Sequence, residues 1–174
     1  VYITVAALIV PSLIQSGILP VAAHMFAFYF GVVSTITPPV ALASFAGAAI
    51  AKSPPMATAV ESSKVGIAKY IVPFAFIYNP SLLMEGPIIL SIYSLITVLL
   101  AYWCMTLGLE GWFNGILNPF KRIIALAGSV FLLIPPQETI YDISGFILNG
   151  FGLIILILIY FIQGKINFKS ENAR

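Results

Sequence analysis

Two adjacent prolines, Pro38 and Pro39, stand inside a stretch that runs from Val1 to Ala51 without one Asp, Glu, Lys or Arg. Neither has an N–H, so a helix passing through them loses the donors that would meet the carbonyls of Ser34 and Thr35. Thr37 and Pro38 each precede a proline and are pushed out of helical geometry. The pattern predicts two half-helices, with freed carbonyls and the hydroxyls of Ser34, Thr35 and Thr37 between them. In lipid such a break is tolerated only where it is buried in protein or lines a polar cavity.

Composition says that the surroundings are lipid. The chain is 60% hydrophobic and 8% charged, against roughly 25% charged residues in soluble domains. The expected fold class is therefore all-α, a polytopic integral membrane protein. A formal net charge of +2 and the lack of a basic patch argue against a nucleic-acid partner. Cys104 is the only cysteine, so no disulfide framework or thiol metal site is expected. No Ser/His/Asp set, metal-ligand spacing or Gly-rich phosphate loop occurs, so neither enzyme chemistry nor a bound cofactor is expected. The first residue, Val1, falls within an apolar run with no basic n-region or cleavage site. The chain is expected to be the C-terminal fragment of a longer protein.

In chain order, residues 1–16 read as a short apolar helix, too short to span ~30 Å of hydrocarbon. Ser16-Gly17 and Pro20 mark a turn. Residues 24–51 read as the broken helix, its first half aromatic (Phe26, Phe28, Tyr29, Phe30) and its second built of small residues that suit close packing. Ser53 is an expected N-cap with Pro54 at the first helical position of a helix over 54–79, kinked at Pro73. Pro87 to Leu107 reads as a plain span. Trp112, Phe113, Ile116, Leu117 and Phe120 fall on one face of a short helix lying in the interface, with Asn114 and Asn118 opposite and Lys121-Arg122 following. A shorter span over Ile123–Ile134, a loop with Glu138 and Asp142, and a last span over about Ile143–Ile162 lead to a basic tail.

Charge placement gives an orientation. Lys165, Lys169 and Arg174 put the tail in the cytoplasm by the positive-inside rule. Working backwards, the Glu138/Asp142 loop lies outside, Lys121-Arg122 inside, the Glu85 loop outside, and Lys52, Lys64 and Lys69 inside.

Two readings of Thr37-Pro38-Pro39 stand on the residues alone. One is a packing kink with its hydroxyls back-bonded to the helix; the other is an ion or substrate site. Oxygen ligands suit a hard cation, and unwound helices in secondary transporters coordinate Na⁺ this way. The candidate metal ligands are Ser34, Thr35 and Thr37, with Gly31, Pro38 and Pro39 as the structural break. A proton-coupled carrier using His24 or Glu61 is the alternative coupling scheme. A structural membrane subunit with no transport site of its own is the alternative class.

The run from His24 through Ser34-Thr-Ile-Thr-Pro-Pro-Val40 resembles the C-terminal region of the large permease subunit of TRAP (tripartite ATP-independent periplasmic) transporters. Val72-Pro-Phe-Ala-Phe-Ile-Tyr-Asn-Pro80 and Glu110-Gly-Trp with Arg122 downstream support the resemblance, which is to the fused TAXI type. It implies an elevator-type fold with re-entrant and discontinuous helices. Residues 1–80 would be the C-terminal part of the transport domain, with 1–16 as a hairpin arm, and 81–174 a membrane extension of about three spans. It also implies sodium-coupled uptake of organic acids across the bacterial inner membrane, with Na⁺ as the coupling ion. The implied partners are a periplasmic TAXI-type substrate-binding protein and a small TRAP membrane subunit fused upstream.

Overall fold

A computed structural model describes residues 2–113, 115–140 and 143–171. Asn114, Asp142, Arg174 and the side chains of Lys165 and Lys169, all used in the sequence reading, lie outside what is described. The chain divides into two compact units, Val1–Glu85 and Gly86–Arg174. It is all-α apart from one two-stranded turn.

In the first unit, helix α1 (Tyr2–Gln15) turns at Gly17 (φ 89°) into α2 (Pro20–Val33). The pair is antiparallel: Tyr2 lies against Gly31, and Val10 packs with Ala23 and Ala27. Each has 14 residues, a rise of about 21 Å, so neither crosses ~30 Å of hydrocarbon alone. After a 3-10 turn over Ser34–Ile36 the chain breaks through Thr37–Val40 and resumes as α3 (Leu42–Ala51). The break therefore stands where the paired prolines put it. Gly31 is not part of it, because Gly31 lies inside α2, where it lets Tyr2 approach.

The expected single helix over 54–79 is two helices, α4 (Pro55–Val65) and α5 (Ala68–Tyr78). The interruption is at Gly66, not at Pro73, which sits inside α5. A Cβ on Gly66 would lie 2.6 Å from Ile36 Cδ1, so the 3-10 turn packs where a side chain would otherwise be. Ser53 does not cap α4. Its hydroxyl bonds Thr58 Oγ1 at 2.8 Å, and Pro54 holds the N-cap position with extended backbone. Helix α5 runs antiparallel to α2 through ring contacts of Phe74 with Phe26 and Phe30, at 5.4 and 5.9 Å between centroids, and of Phe76 with Tyr29 at 5.4 Å. Asn79 and Pro80 end it in a 3-10 turn over Pro80–Leu83.

The second unit packs α6 (Ile88–Glu110), α7 (Pro119–Leu133) and α8 (Gly145–Glu171). Among the described residues, α6 alone is a helix long and apolar enough to cross a membrane by itself. Its buried face is mostly small or polar (Ser91, Ser94, Thr97, Ala101, Cys104, Gly108) with Val98, Met105 and Leu107 among them, while Ile92, Leu95, Ile96 and Leu99 are exposed. That arrangement suits a helix whose solvent is lipid, because lipid solvates Leu and Ile as well as a core does, and helices then associate through small residues. Three glycines bring the backbones together. Added Cβ atoms would lie 2.7 Å from Leu126 at Gly108, 2.9 Å from Ile155 at Gly128 and 2.6 Å from Leu132 at Gly152.

The expected interfacial helix over 112–120 is absent. Gly111 (φ 69°) ends α6 in left-handed geometry, Gly115 adopts φ 135°, and Trp112 and Ile116 form an isolated bridge. A helix over 112–120 would need right-handed geometry at Gly115. Asn118 instead caps α7, its side chain accepting from the Phe120 N–H at 3.4 Å, with Pro119 as the first helical residue. The Glu138 loop carries two short antiparallel strands, β1 (Thr139–Ile140) and β2 (Ile143–Ser144), with Thr139 opposite Ser144.

Helix ends in this unit are closed by side chains from other elements. Arg122 donates from Nε to the Gly108 carbonyl at 2.9 Å and from Nη2 to the Leu109 carbonyl at 2.6 Å, a cation at the negative end of α6. Asn149 is fully buried in α8. With its amide oriented by hydrogen bonding, Nδ2 donates to the Phe131 and Ile134 carbonyls at the end of α7, at 2.8 and 3.1 Å.

Replacing Gly152 by Val should lower the thermal unfolding midpoint measured in detergent. Its Cβ would meet the Gly128 carbonyl at 2.9 Å as well as Leu132, and overpacking of this kind costs about 1–3 kcal/mol. Gly47, whose Cβ would meet nothing within 4 Å, is the control: Gly47→Val should shift the midpoint much less.

Candidate functional site

The break is built from three local rules. The prolines strip donors from the carbonyls before them, and the Pro38–Pro39 peptide bond is cis. The Thr37 N–H reaches back to the Ser34 carbonyl at 3.3 Å, and the Ala41 N–H meets the Thr37 carbonyl at 2.9 Å. The Ser34 carbonyl is thus not free, as the sequence implied, but accepts a long bond of 3-10 type.

Each hydroxyl at the break lies within bonding distance of a carbonyl of α2. Ser34 Oγ donates to the Gly31 carbonyl and Thr35 Oγ1 to the Val32 carbonyl, both at 2.7 Å. Thr37 Oγ1 donates to the Val33 carbonyl at 2.8 Å. This is the back-bonded geometry of a kink, and it has a chemical consequence. A hydroxyl has one proton and two lone pairs, so once the proton is used, what remains to face a ligand is electron-rich.

Tyr70 and Ser63, on α5 and α4, complete the site. Tyr70 OH lies 2.6 Å from Thr37 Oγ1. Either hydroxyl can donate in this pair; when the Thr37 proton goes to Val33, the tyrosine is the donor. Ser63 Oγ is 3.0 Å from the Ile36 carbonyl and 3.1 Å from its own-helix Ala59 carbonyl, one proton shared between two acceptors. A cavity of about 210 Å³ touches Phe30, Val33, Ser34, Thr37, Pro38 and Tyr70. A larger one of about 600 Å³ touches Thr37, Pro38, Ser63, Lys64, Ile67 and Tyr70. Both meet at Thr37, Pro38 and Tyr70.

Of the expected site residues, Ser34 and Thr37 reach cavity walls, whereas Thr35 lines neither of these two cavities. The donor set is hydroxyl and carbonyl oxygen alone, which fits a hard monovalent cation rather than a transition metal. Among the described residues no group of three His, Cys, Asp or Glu could hold a metal ion. His24 lies elsewhere, its Nδ1 2.9 Å from Tyr2 OH on the surface of the α1–α2 pair. Glu61 pairs with Lys64 at 2.9 Å, both side chains 66% exposed. Tyr70 and Ser63 were not singled out by the sequence as site residues, and Lys64 was read only as a charge on the inner side. The spacing Val60, Ser63/Lys64, Ile67, Tyr70 would have marked one helical face.

The family model described as "Tripartite ATP-independent periplasmic transporter, DctM component" matches residues 1–92 of the 174. The match takes in both cavities and ends early in α6. No curated protein and no solved structure matches.

If Tyr70 donates to Thr37, the two side chains are energetically coupled. Tyr70→Phe and Thr37→Val should each destabilise the protein by about 1 kcal/mol. The double variant should cost less than their sum by about 0.5–1.5 kcal/mol. Thermal or denaturant unfolding of the four forms checks this, and strict additivity would mean that the contact carries no energy.

Proposed function

This chain belongs to the DctM component family of tripartite ATP-independent periplasmic transporters, and on that premise we propose that its broken helix forms part of a sodium site that drives carboxylate uptake. The family's activity is secondary transport of carboxylates across the inner membrane, with a periplasmic binding protein and a small membrane subunit as partners. Sodium coupling, the organic-acid cargo of uptake, a TAXI-type binding protein, fusion of the small subunit upstream and a cytoplasmic C-terminus belong to the proposal.

One observation carries the sodium reading: the protons of Ser34, Thr35 and Thr37 are directed to α2 carbonyls, so their remaining capacity is acceptor-only. Acceptor oxygens at an unwound membrane helix are what a dehydrated alkali cation requires. Thr37 is the central ligand, because it stands on both cavities and its position is held from three sides, by the Val33 carbonyl, the Tyr70 hydroxyl and the proline that follows it. Ser34 supplies a second hydroxyl on the smaller cavity. Thr35 is the weakest of the three, since it reaches neither wall. The two half-helices on either side end in oriented backbone dipoles that add partial charge at the break.

In proteoliposomes holding the full-length permease with its binding protein, Thr37→Val should reduce the stimulation of uptake by Na⁺ over choline about tenfold or more. Protein yield should stay near that of the wild type, and the unfolding midpoint should fall by no more than the loss of about 1 kcal/mol brings. Uptake that ignores Na⁺ and follows an imposed pH gradient would replace this reading with proton coupling through His24 or Glu61.

A further inference from the structure

We propose that Ser63, Gly66 and Tyr70 form a positioning face that sets the geometry of the break, and through it the affinity of the ion site at Thr37. The effect on the ion rests on the sodium reading above, and the three residues act through Ile36 and Thr37. They stand at i, i+3 and i+7, the spacing of one helical face, and all three meet the same two residues. Ser63 Oγ lies 3.0 Å from the Ile36 carbonyl. A Cβ on Gly66 would lie 2.6 Å from Ile36 Cδ1. Tyr70 OH lies 2.6 Å from Thr37 Oγ1. One carbonyl, one apolar side chain and one hydroxyl of the break are each held by a different residue.

The face keeps its course across the joint between α4 and α5. The Gly66 N–H bonds the Ser62 carbonyl at 2.8 Å, still in the α pattern. The N–H groups of Ile67, Lys69 and Tyr70 then bond the Lys64, Gly66 and Ile67 carbonyls at 3.2, 2.9 and 3.1 Å, each three residues back. The joint is therefore a tightened turn of 3-10 type, and it faces the 3-10 turn over Ser34–Ile36. Short 3-10 stretches within helices often mark hinges. Gly66 is buried, and its backbone (φ −84°, ψ 7°) is open to residues with side chains. Packing against Ile36, not backbone geometry, is what calls for glycine there.

Local bonds alone leave the break loosely defined. Thr37 has left helical geometry, at φ −101° and ψ 124°, and in a continuous helix the Ile36 carbonyl would have met the Val40 N–H. Val33 anchors Thr37 Oγ1 from the preceding helix and Tyr70 anchors it from α5. A binding site needs its groups within about 0.5 Å of their productive positions, and the residues behind the ligands provide that precision.

The test uses the full-length permease with its binding protein in proteoliposomes, and hydrogen exchange over residues 34–41 measured without Na⁺. Gly66→Ala places a methyl where Ile36 Cδ1 lies, and Ile36→Val removes that Cδ1. Gly66→Ala should speed exchange at the break and raise the Na⁺ concentration for half-maximal uptake about three- to tenfold. Adding Ile36→Val should reverse both in large part, the remaining tight contact being the Ser62 carbonyl at 3.0 Å. Tyr70→Phe, which adds no atom and so keeps the test open if Gly66→Ala does not fold, should raise the Na⁺ requirement about three- to tenfold. That is the size of one neutral hydrogen bond, and the KM for cargo at saturating Na⁺ should not change. Gly152→Val, destabilising but in the other unit, should leave the Na⁺ requirement as in the wild type. The inference is overturned if Gly66→Ala and Tyr70→Phe change neither readout, if Ile36→Val rescues nothing, or if Gly152→Val shifts the Na⁺ requirement as Tyr70→Phe does. The sodium reading fails separately. Wild-type uptake indifferent to Na⁺ removes it, and the exchange rates then decide the positioning of the break. A Na⁺ effect lost in Thr37→Val but indifferent to Gly66→Ala and Tyr70→Phe keeps the sodium reading and removes this one.

Discussion

The first unit depends on how the backbone is satisfied where two prolines take away its donors. An unmet carbonyl in a lipid-facing protein costs several kcal/mol, so something must answer it. Part of the answer is local. Ser34, Thr35 and Thr37 turn their hydroxyls back onto Gly31, Val32 and Val33, and the Thr37 N–H closes a 3-10 turn on Ser34. From this follows the position of everything else in the site. The 3-10 turn carries Ile36 into the space over Gly66 and aims its carbonyl at Ser63, while Thr37 is left facing Tyr70. Structural satisfaction and ligand chemistry are not rival readings here. Under the proposed sodium reading, hydroxyls that donate to α2 carbonyls keep their lone pairs for a cation.

The second unit meets the same demand by a different route. Its helices run unbroken, and the vulnerable carbonyls are at their ends. Arg122 reaches across from α7 to close the end of α6, and Asn149 reaches from α8 to close the end of α7. These contacts work only because Gly108, Gly128 and Gly152 let the backbones approach. A larger residue at any of them would separate the helices and strand the caps. In lipid, where burial of Leu and Ile provides little association energy, close packing and caps of this kind carry the assembly.

Sparse charge gives each charged side chain a readable place. Arg122 closes a helix, and Lys64 lines a cavity while paired with Glu61. A charge in so apolar a chain is costly unless it is solvated, paired or in use. Exposure of the Glu61–Lys64 pair meets the first two conditions at once.

Much of the fold was legible along the chain. The Thr37–Pro39 break, the end of α5 at Asn79-Pro80, and the start of α6 after Pro87 all follow from proline's missing N–H and fixed φ, which act on immediate neighbours whatever the tertiary setting. The apolar character of the spans was equally plain, and so was the clustering of hydroxyls at the break. What the sequence could not supply was the outcome of competition between distant segments. The sequence put the kink at Pro73, whereas the structure interrupts the helix at Gly66, where Ile36, thirty residues upstream, packs. The apolar face of 112–120 suited an interfacial helix, but Gly111 and Gly115 took geometries that a helix excludes. In the sequence Lys64 reads only as an inner-side charge, whereas in the structure it lines a cavity with Thr37 and Tyr70. By itself the sequence determined where the backbone would fail to bond itself, because that is a property of adjacent residues. Only the tertiary structure decided which side chains meet those places, because that depends on contacts between helices far apart in the chain.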